Sequence, residues 1–311
     1  MAGEIKKWAI GLAALSLSSI SGIAGAATGT VAPSELDRVT NFQGSTGLFW
    51  MNTAYTLGIG ELRATAMGSY DNVAITPVYD SGTDTYVNYG PALILYTPVS
   101  VALGLTETIE VSGLAKSYSI DYDNDALTDE TGAGDTEGAI KWNFSSQTEN
   151  LPALAAIFTF VAATGDKDKD RPFRQVEEFG IKGGFAASTE TIVGNDTPIG
   201  FHLEVEAVLN DPLSDTSNKK EKHSFINAGF VVPLSDDHLL VAIAEVSRLG
   251  NANTTLAGYN RGEVSEQTTS TIGIRYTWKY INAGLAAQSV DSAVGGISTH
   301  RRALATVGIG F

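Results

Sequence analysis

From Glu61 to the C-terminus the chain is a succession of short segments in which apolar and polar side chains alternate, separated by polar, turn-forming stretches. A period of two puts successive side chains on opposite faces of an extended strand. The first segment begins at Glu61, with Leu62, Ala64, Ala66, Gly68 and Tyr70 on one face and Glu61, Arg63, Thr65 and Ser69 on the other. Further segments fall near 84–97, 108–119, 135–145, 153–163, 173–187, 198–210, 222–233, 238–249, 266–278, 280–290 and 301–311, which makes about twelve strands. In the clearest, Ile199, Phe201, Leu203, Val205, Ala207 and Leu209 alternate with Gly200, His202, Glu204, Glu206 and Val208. Abundant glycine, few prolines and no long amphipathic helical window agree with an all-β chain.

One alternating strand does not separate a soluble sandwich from a membrane barrel, in which the apolar face meets lipid and the polar face meets the lumen. The connections do separate them. With the first strand rising from the periplasm, outer loops fall near 71–83, 120–134, 164–172, 211–221, 250–265 and 291–300. Inner turns fall near 98–107, 146–152, 188–197, 234–237 and 279–280. The outer set is mostly longer and more charged, the asymmetry of outer-membrane barrels. Aromatic residues cluster where strands would cross the interfaces: Tyr96, Trp142, Phe144, Tyr276, Trp278, Tyr280 and Phe311 at the inner ends, and Tyr70, Tyr86, Tyr118 and Phe173 at the outer ends. The expected fold is a transmembrane antiparallel up-and-down β-barrel of about twelve strands, embedded in outer-membrane lipid.

The N-terminus supports that destination. Lys6 and Lys7 precede an apolar run from Trp8 to about Ile23, and Ala24-Gly25-Ala26 offers small residues for cleavage, so residues 1–27 read as a secretory signal peptide. Residues 28–60 read as a periplasmic lead-in. Its part 44–60 is apolar without one clean period, and suits either an irregular first strand or a segment tucked into the barrel mouth. Residues 61–311 form the barrel. A net charge of −15 argues against nucleic acid as a partner. The absence of cysteine removes disulfides, thiolate metal sites and cysteine nucleophiles, and no motif calls for a cofactor.

Several stretches resemble known families. The C-terminal strand closed by Phe311 resembles the terminal strand of bacterial outer-membrane barrels, which implies recognition by the barrel assembly machinery. Residues 104–111, the run Gly134 to Phe144, and Pro152 through Thr164-Gly165-Asp166 resemble the Gram-negative barrel family of transporters or aromatic-degradation-pathway proteins. This chain departs from the usual Pro-Thr-Gly-Asp run by carrying Ala163. Residues 44–61 are similar to the N-terminal segment of barrels linked to exopolysaccharide export. The resemblances imply a transport-like role and leave the substrate open.

Projected inward, the strands supply the acids Glu61, Glu110, Asp135, Glu137, Glu178, Glu204, Glu206 and Glu245, and the bases Arg63, Lys116, Lys141, Arg174, Lys182, Arg275 and Arg302. With His202, and with Asp135 set aside, these are the candidate pore-lining residues of a porin-like path that selects small solutes by width and fixed charge. The opposite reading is a lumen closed by pairing of those charges across strands. Asp121, Asp123, Asp125, Asp129 and Glu130, and Asp166, Asp168 and Asp170 between Lys167 and Lys169, are alternating acids of the kind hard cations prefer. The first set has Ala126 where a calcium loop needs glycine, and the second is offset by its lysines, so a solvated acidic rim is the expectation. His202, Glu204 and Glu206 share a face and are expected to pair with neighbouring strands rather than to bind metal.

Two other function classes fit such a barrel: a non-conducting surface or envelope-assembly protein, and an outer-membrane hydrolase. For the hydrolase the chain offers only Ser298 and His300 on one strand face, about 6–7 Å apart at the backbone. No catalytic residue is assigned. Strand 153–163 is apolar on both faces, with Ala153, Ala155, Ile157 and Val161 on the second. That face suits packing against an inward segment, for which 44–60 is the candidate, or a strip for an apolar substrate.

Overall fold

The computed structural model describes residues 39–74, 78–80, 85–87, 91–123, 128–166, 176, 179–193, 197–210, 221–256, 259–292 and 300–311. The signal-peptide reading, Arg174, Glu178, Phe173, Asp125, Asp168, Asp170 and Ser298 lie outside the described residues. The chain is all-β, a closed antiparallel barrel of twelve staves.

The first stave is β1 (Leu62–Ala74). A small hairpin of β2 (Val78–Asp80) and β3 (Thr85–Val87) follows outside the wall. The next three staves are each broken in two. They are β4 (Pro91–Tyr96) with β5 (Val99–Gly104), β6 (Ile109–Ala115) with β7 (Ser117–Tyr122), and β8 (Glu130–Ala133) with β9 (Thr136–Ser145). The remaining staves are β10 (Ala153–Ala162), β11 (Phe179–Val193), β12 (Thr197–Asn210), β13 (Glu221–Pro233), β14 (Leu240–Leu256), β15 (Tyr259–Trp278), β16 (Ile281–Ser292) and β17 (His300–Gly310). Each pairs with its neighbour in chain order, and β17 closes the barrel against β1, with Arg63 opposite Gly310 and Asn72 opposite Arg301. Closure through β17–β1 and β9–β10 joins the ends of the wall, as a wall in hydrocarbon requires, and among the described strands β8 pairs with β7 alone.

The three broken staves bend at one level. β1 pairs with β5 up to Ala66 and with β4 from Ser69, and the Met67 N–H crosses the join to the Pro98 carbonyl at 2.9 Å. The break at Thr97-Pro98 follows from proline, which has no N–H to give the ladder. Its neighbours break at Lys116 and at Gly134-Asp135. A Cβ at Gly134 would come within 2.6 Å of the Tyr118 ring, so the fold of the wall there needs glycine.

Several expectations require correction. The turn at 98–107 is shorter, since β5 continues to Gly104. Among the described residues β11 runs from Phe179 to Val193, through part of the expected turn 188–197. The loop at 250–265 is largely a ladder between β14 and β15. Tyr96 and Tyr118 do not belong to interfacial girdles: they stack on each other at 4.8 Å and Tyr96 packs against the interior cluster. Trp142, Phe144, Tyr276, Trp278, Tyr280 and Phe311 are exposed on the outer surface at the periplasmic ends, and Tyr70 is exposed toward the other rim.

Candidate functional site: a segment seated in the lumen

Residues 39–57 lie inside the barrel. Val39, Thr40, Asn41, Phe42, Leu48, Phe49, Met51, Thr53, Ala54 and Leu57 are each at most 2 % exposed. The segment lacks the period of a stave, because its side chains meet walls on every side. It holds its own shape by two isolated bridges, Thr40 with Thr46 and Gly47 with Asn52. A tight turn enclosed by the first bridge has the Asn41 N–H on the Ser45 carbonyl, the Gly44 N–H on the Asn41 carbonyl, and Gly44 at φ +94°.

The charged residues of the wall grip this segment. Glu245 on β14 accepts the backbone N–H of Phe49 (2.9 Å), Trp50 (3.1 Å) and Met51 (3.2 Å). Glu204 on β12 accepts the Asn52 N–H (3.0 Å), the Asn52 side-chain amide (2.6 Å) and the Asn227 amide (2.8 Å). Glu110 on β6 accepts the Thr46 N–H (2.9 Å), the Thr46 hydroxyl (2.8 Å) and the Leu57 N–H (3.1 Å). Lys141 on β9 donates to the Thr46 and Tyr55 carbonyls at 2.7 and 2.9 Å and lies 3.6 Å from Glu110. Arg275 on β15 donates to the Gly47 and Leu48 carbonyls at 3.2 and 2.6 Å. A segment without a ladder must satisfy its backbone somewhere, and here fixed charges do so.

The other sequence candidates fall into three groups. At the periplasmic rim, Glu61 bonds Arg63 at 2.8 Å and accepts the Gly58 N–H at 3.0 Å. In the outer half of the lumen, Glu137 is clasped by Lys116 and by Lys182, the latter at 2.6 Å, and Arg302 bonds Asp71 at 2.6 Å and Gln288 at 3.2 Å. Glu206 faces the same half, two positions beyond Glu204 on β12. Lys182 and Arg302 keep 19 % and 28 % of their side chains exposed, so water reaches this half. Asp135 is buried at the bend and accepts the N–H groups of Gly165 (2.7 Å) and Val176 (3.0 Å). Most of the expected pore-lining charges therefore hold the inner segment or one another instead of edging an open pore.

His202 makes a 2.9 Å hydrogen bond with the Ser188 hydroxyl, which also accepts the Ala54 N–H at 2.8 Å. Both side chains are under 5 % exposed beneath the segment, and they dock it. Ala153, Ala155 and Ile157, the second apolar face of β10, cluster with Ala54 and Tyr55. Of the hydrolase pair, only the backbone of His300, at the start of β17, is described.

Aromatic rings form a feature that alternation did not reveal. Phe42 stacks on Trp50 at 4.6 Å, Trp50 faces Tyr96 at 6.5 Å, and Tyr96 stacks on Tyr118 at 4.8 Å, which carries a row of rings from the segment to the wall. The local cues were Tyr96 beside the Pro98 break and Tyr118 beside the Lys116 break. Their inward direction required knowing that β4 with β5, and β6 with β7, are single staves.

No family model matches the chain, and no curated protein does. Solved structures do. The COG4313 outer membrane channel from Pseudomonas putida F1 aligns at TM-score 0.60 and 12 % identity, over 83 % of this chain and 98 % of that one. The translocator domain of the autotransporter NalP from Neisseria meningitidis aligns at 0.45 and 12 %, over 82 % and 89 %. The Pseudomonas putida toluene transporter TodX aligns at 0.39 and 7 %, over 92 % and 95 %. The first of these carries a common fold. The chain is a β-barrel of the bacterial outer membrane.

Proposed function

We propose that this barrel is an outer-membrane channel for small solutes, closed at rest by residues 39–57 and opened when that segment shifts. The observation that carries the reading is the division of the lumen. The periplasmic half is filled by a segment held through hydrogen bonds and an apolar cluster, while the outer half keeps water-accessible charges at Lys182 and Arg302. A permanent structural filler would be expected to extend the packed core through both halves. Passage would be passive, selected by width and by the charges left exposed, with no chemical step. The fold shared with an outer membrane channel supports the same reading.

The test weakens two anchors at once. The variant E110Q/E245Q keeps side-chain shape while removing two of the negative charges that receive backbone N–H groups. In planar bilayers it should conduct more, and more often, than the parent. Equal silence in both proteins, with correct barrel folding shown by heat-modifiable gel mobility, would favour a non-conducting envelope barrel.

A further inference from the structure

We infer that solutes cross along the wall formed by β15, β16, β17 and β1, that Phe49 is the stopper on that path, and that Thr277, Asn282 and Thr306 form a binding site for small uncharged hydrogen-bonding solutes on its periplasmic side. This rests on the channel reading and assigns it a route.

The inward faces of these strands divide into two polar levels, and the stretch between them carries an apolar patch of Gly273, Gly284, Ala286, Leu304 and Met67 edged by Arg275, Thr306 and Ser69. At the periplasmic level stand Thr277, Asn282 and Thr65, with Gly308 directly opposite Asn282 on the ladder, and Thr306 stands one inward position further out, opposite Gly284 and Met67. At the outer level stand Thr271, Gln288, Arg302 and Asp71, joined by the Gln288 amide on the Thr271 hydroxyl at 2.8 Å and by Arg302 on Asp71. Between the levels, Phe49 presses its ring against glycine. A Cβ at Gly273 would lie 2.7 Å from the ring, and one at Gly284 3.1 Å from it. Two strands thus give up their side chains where one aromatic ring sits, with Leu304 and Met67 in the same apolar cluster.

Below the ring the wall is built to hold something polar. Both amide atoms of Asn282 and the hydroxyls of Thr277 and Thr306 are buried and lack a hydrogen-bond partner, and each of these residues is at most 4 % exposed. Leaving four such atoms bare is costly, and water or a ligand that bonds to them would relieve that cost. Gly308 lets these polar groups crowd against bare backbone, since a Cβ there would lie 2.6 Å from the Asn282 amide nitrogen and 2.7 Å from the Thr65 hydroxyl. Thr306 reaches up to the stopper, its hydroxyl 2.7 Å from the point where a Gly284 Cβ would touch Phe49. The unpartnered groups are amide and hydroxyl, neither cationic nor anionic. The two cations nearby are occupied, Arg275 by the Gly47 and Leu48 carbonyls and Arg63 by Glu61. Neutral solutes bearing hydroxyl or amide groups match this chemistry, and glycerol is the simplest probe.

The chain has no cysteine, so single cysteines can be placed and modified without background. Glycerol-driven swelling of liposomes should be faster by roughly threefold or more for F49A than for the parent, because removing the ring joins the two polar levels. Methyl methanethiosulfonate should return F49A/T306C to the parental rate and leave F49A/T159C, on the opposite wall at β10, fast. If F49A stays at the parental rate while E110Q/E245Q conducts, or if modification of F49A/T306C changes nothing, the route is wrong and the channel reading stands. If E110Q/E245Q is also silent, the channel reading falls and the route with it. Heat-modifiable mobility of every variant reports the folded barrel, and F49L replaces F49A should the smaller side chain prevent folding.

Discussion

Glu245 on β14 accepts the Phe49 N–H at 2.9 Å across 196 positions of sequence, and the same carboxylate serves the next two N–H groups of the segment. One wall residue thereby fixes the orientation of three consecutive peptides. E245A would strand three donors, at about 1–3 kcal/mol for each that water cannot reach. E245Q keeps one acceptor oxygen and should be milder. Hydrogen exchange at Phe49, Trp50 and Met51 should rise strongly in E245A and modestly in E245Q, with exchange in β15 and β16 unchanged. Equal protection of all three amides in E245A would contradict a dominant role for this carboxylate.

Lys141 and Glu110 are fully buried and depend on each other as well as on the segment. Removing one partner leaves an uncompensated charge in the protein interior, whereas removing both does not. K141M should therefore cost about 3–5 kcal/mol of barrel stability, the usual range for a broken buried pair. K141M/E110Q should recover part of that loss, although the Thr46 and Tyr55 carbonyls would still lack their donor. Urea unfolding followed by tryptophan fluorescence gives the comparison, and additive losses in the double variant would show that the pair is not coupled.

At Gly104 the segment leaves the lumen against bare backbone. A Cβ there would come within 2.0 Å of the Gly58 carbonyl oxygen and 2.7 Å of the Leu57 carbonyl oxygen, too close for any side chain. The wall cannot yield easily, since the Gly104 N–H bonds the Glu61 carbonyl and its own carbonyl receives the Gly60 N–H. G104V should unseat residues 57–60 with the barrel intact. Protease cleavage within 39–60 should accelerate while heat-modifiable mobility stays parental. Unchanged cleavage would mean the strand shifts instead.

Much of the barrel was legible because a wall between water and lipid enforces a period of two on every stave. His202, Glu204 and Glu206 face inward by the same parity that sends Phe201, Leu203 and Val205 outward. What failed were boundaries. Pro98 looked like the end of a strand, yet it only interrupts a stave that resumes at Val99, and that error carried Tyr96 to the membrane interface instead of the lumen. Asn251, Asn253 and Thr254 have loop composition, yet the backbone there continues the β14–β15 ladder, which composition does not register. Residues 44–60 had no period because the segment is surrounded on all sides. That lack of pattern was itself informative, but which wall residue meets which peptide depends on barrel closure and could not be read from spacing.

At the seam, the Phe311 N–H bonds the Leu62 carbonyl at 2.8 Å and the Leu62 N–H bonds the Phe311 carbonyl at 3.0 Å, while the ring stands exposed at the periplasmic end. Because these are backbone bonds, F311A leaves them in place. Stability of the finished barrel should therefore change little. If the terminal ring is read by the assembly machinery, the yield of folded barrel in outer-membrane fractions should fall while refolding in detergent micelles proceeds normally. Equal loss in both settings would assign the ring to packing.

Arg302 and Asp71 face each other across the β17–β1 seam, with Arg302 partly exposed to the outer half of the lumen and Asp71 nearly covered. An incoming ion at that level meets the guanidinium first. Neutralising the two partners should therefore have opposite consequences for selectivity. R302Q removes the exposed positive charge and uncovers Asp71, so current through the E110Q/E245Q background should shift toward cations. D71N leaves Arg302 with Gln288 as its remaining partner and should shift the current toward anions. Reversal potentials under a salt gradient measure both. The difference should shrink at high ionic strength, where the Debye length falls to roughly 3 Å at 1 M and the fixed charge is screened from the passing ion. A reversal potential unmoved by either substitution would place the ion path away from this seam, and would count against the β15–β1 wall as the route.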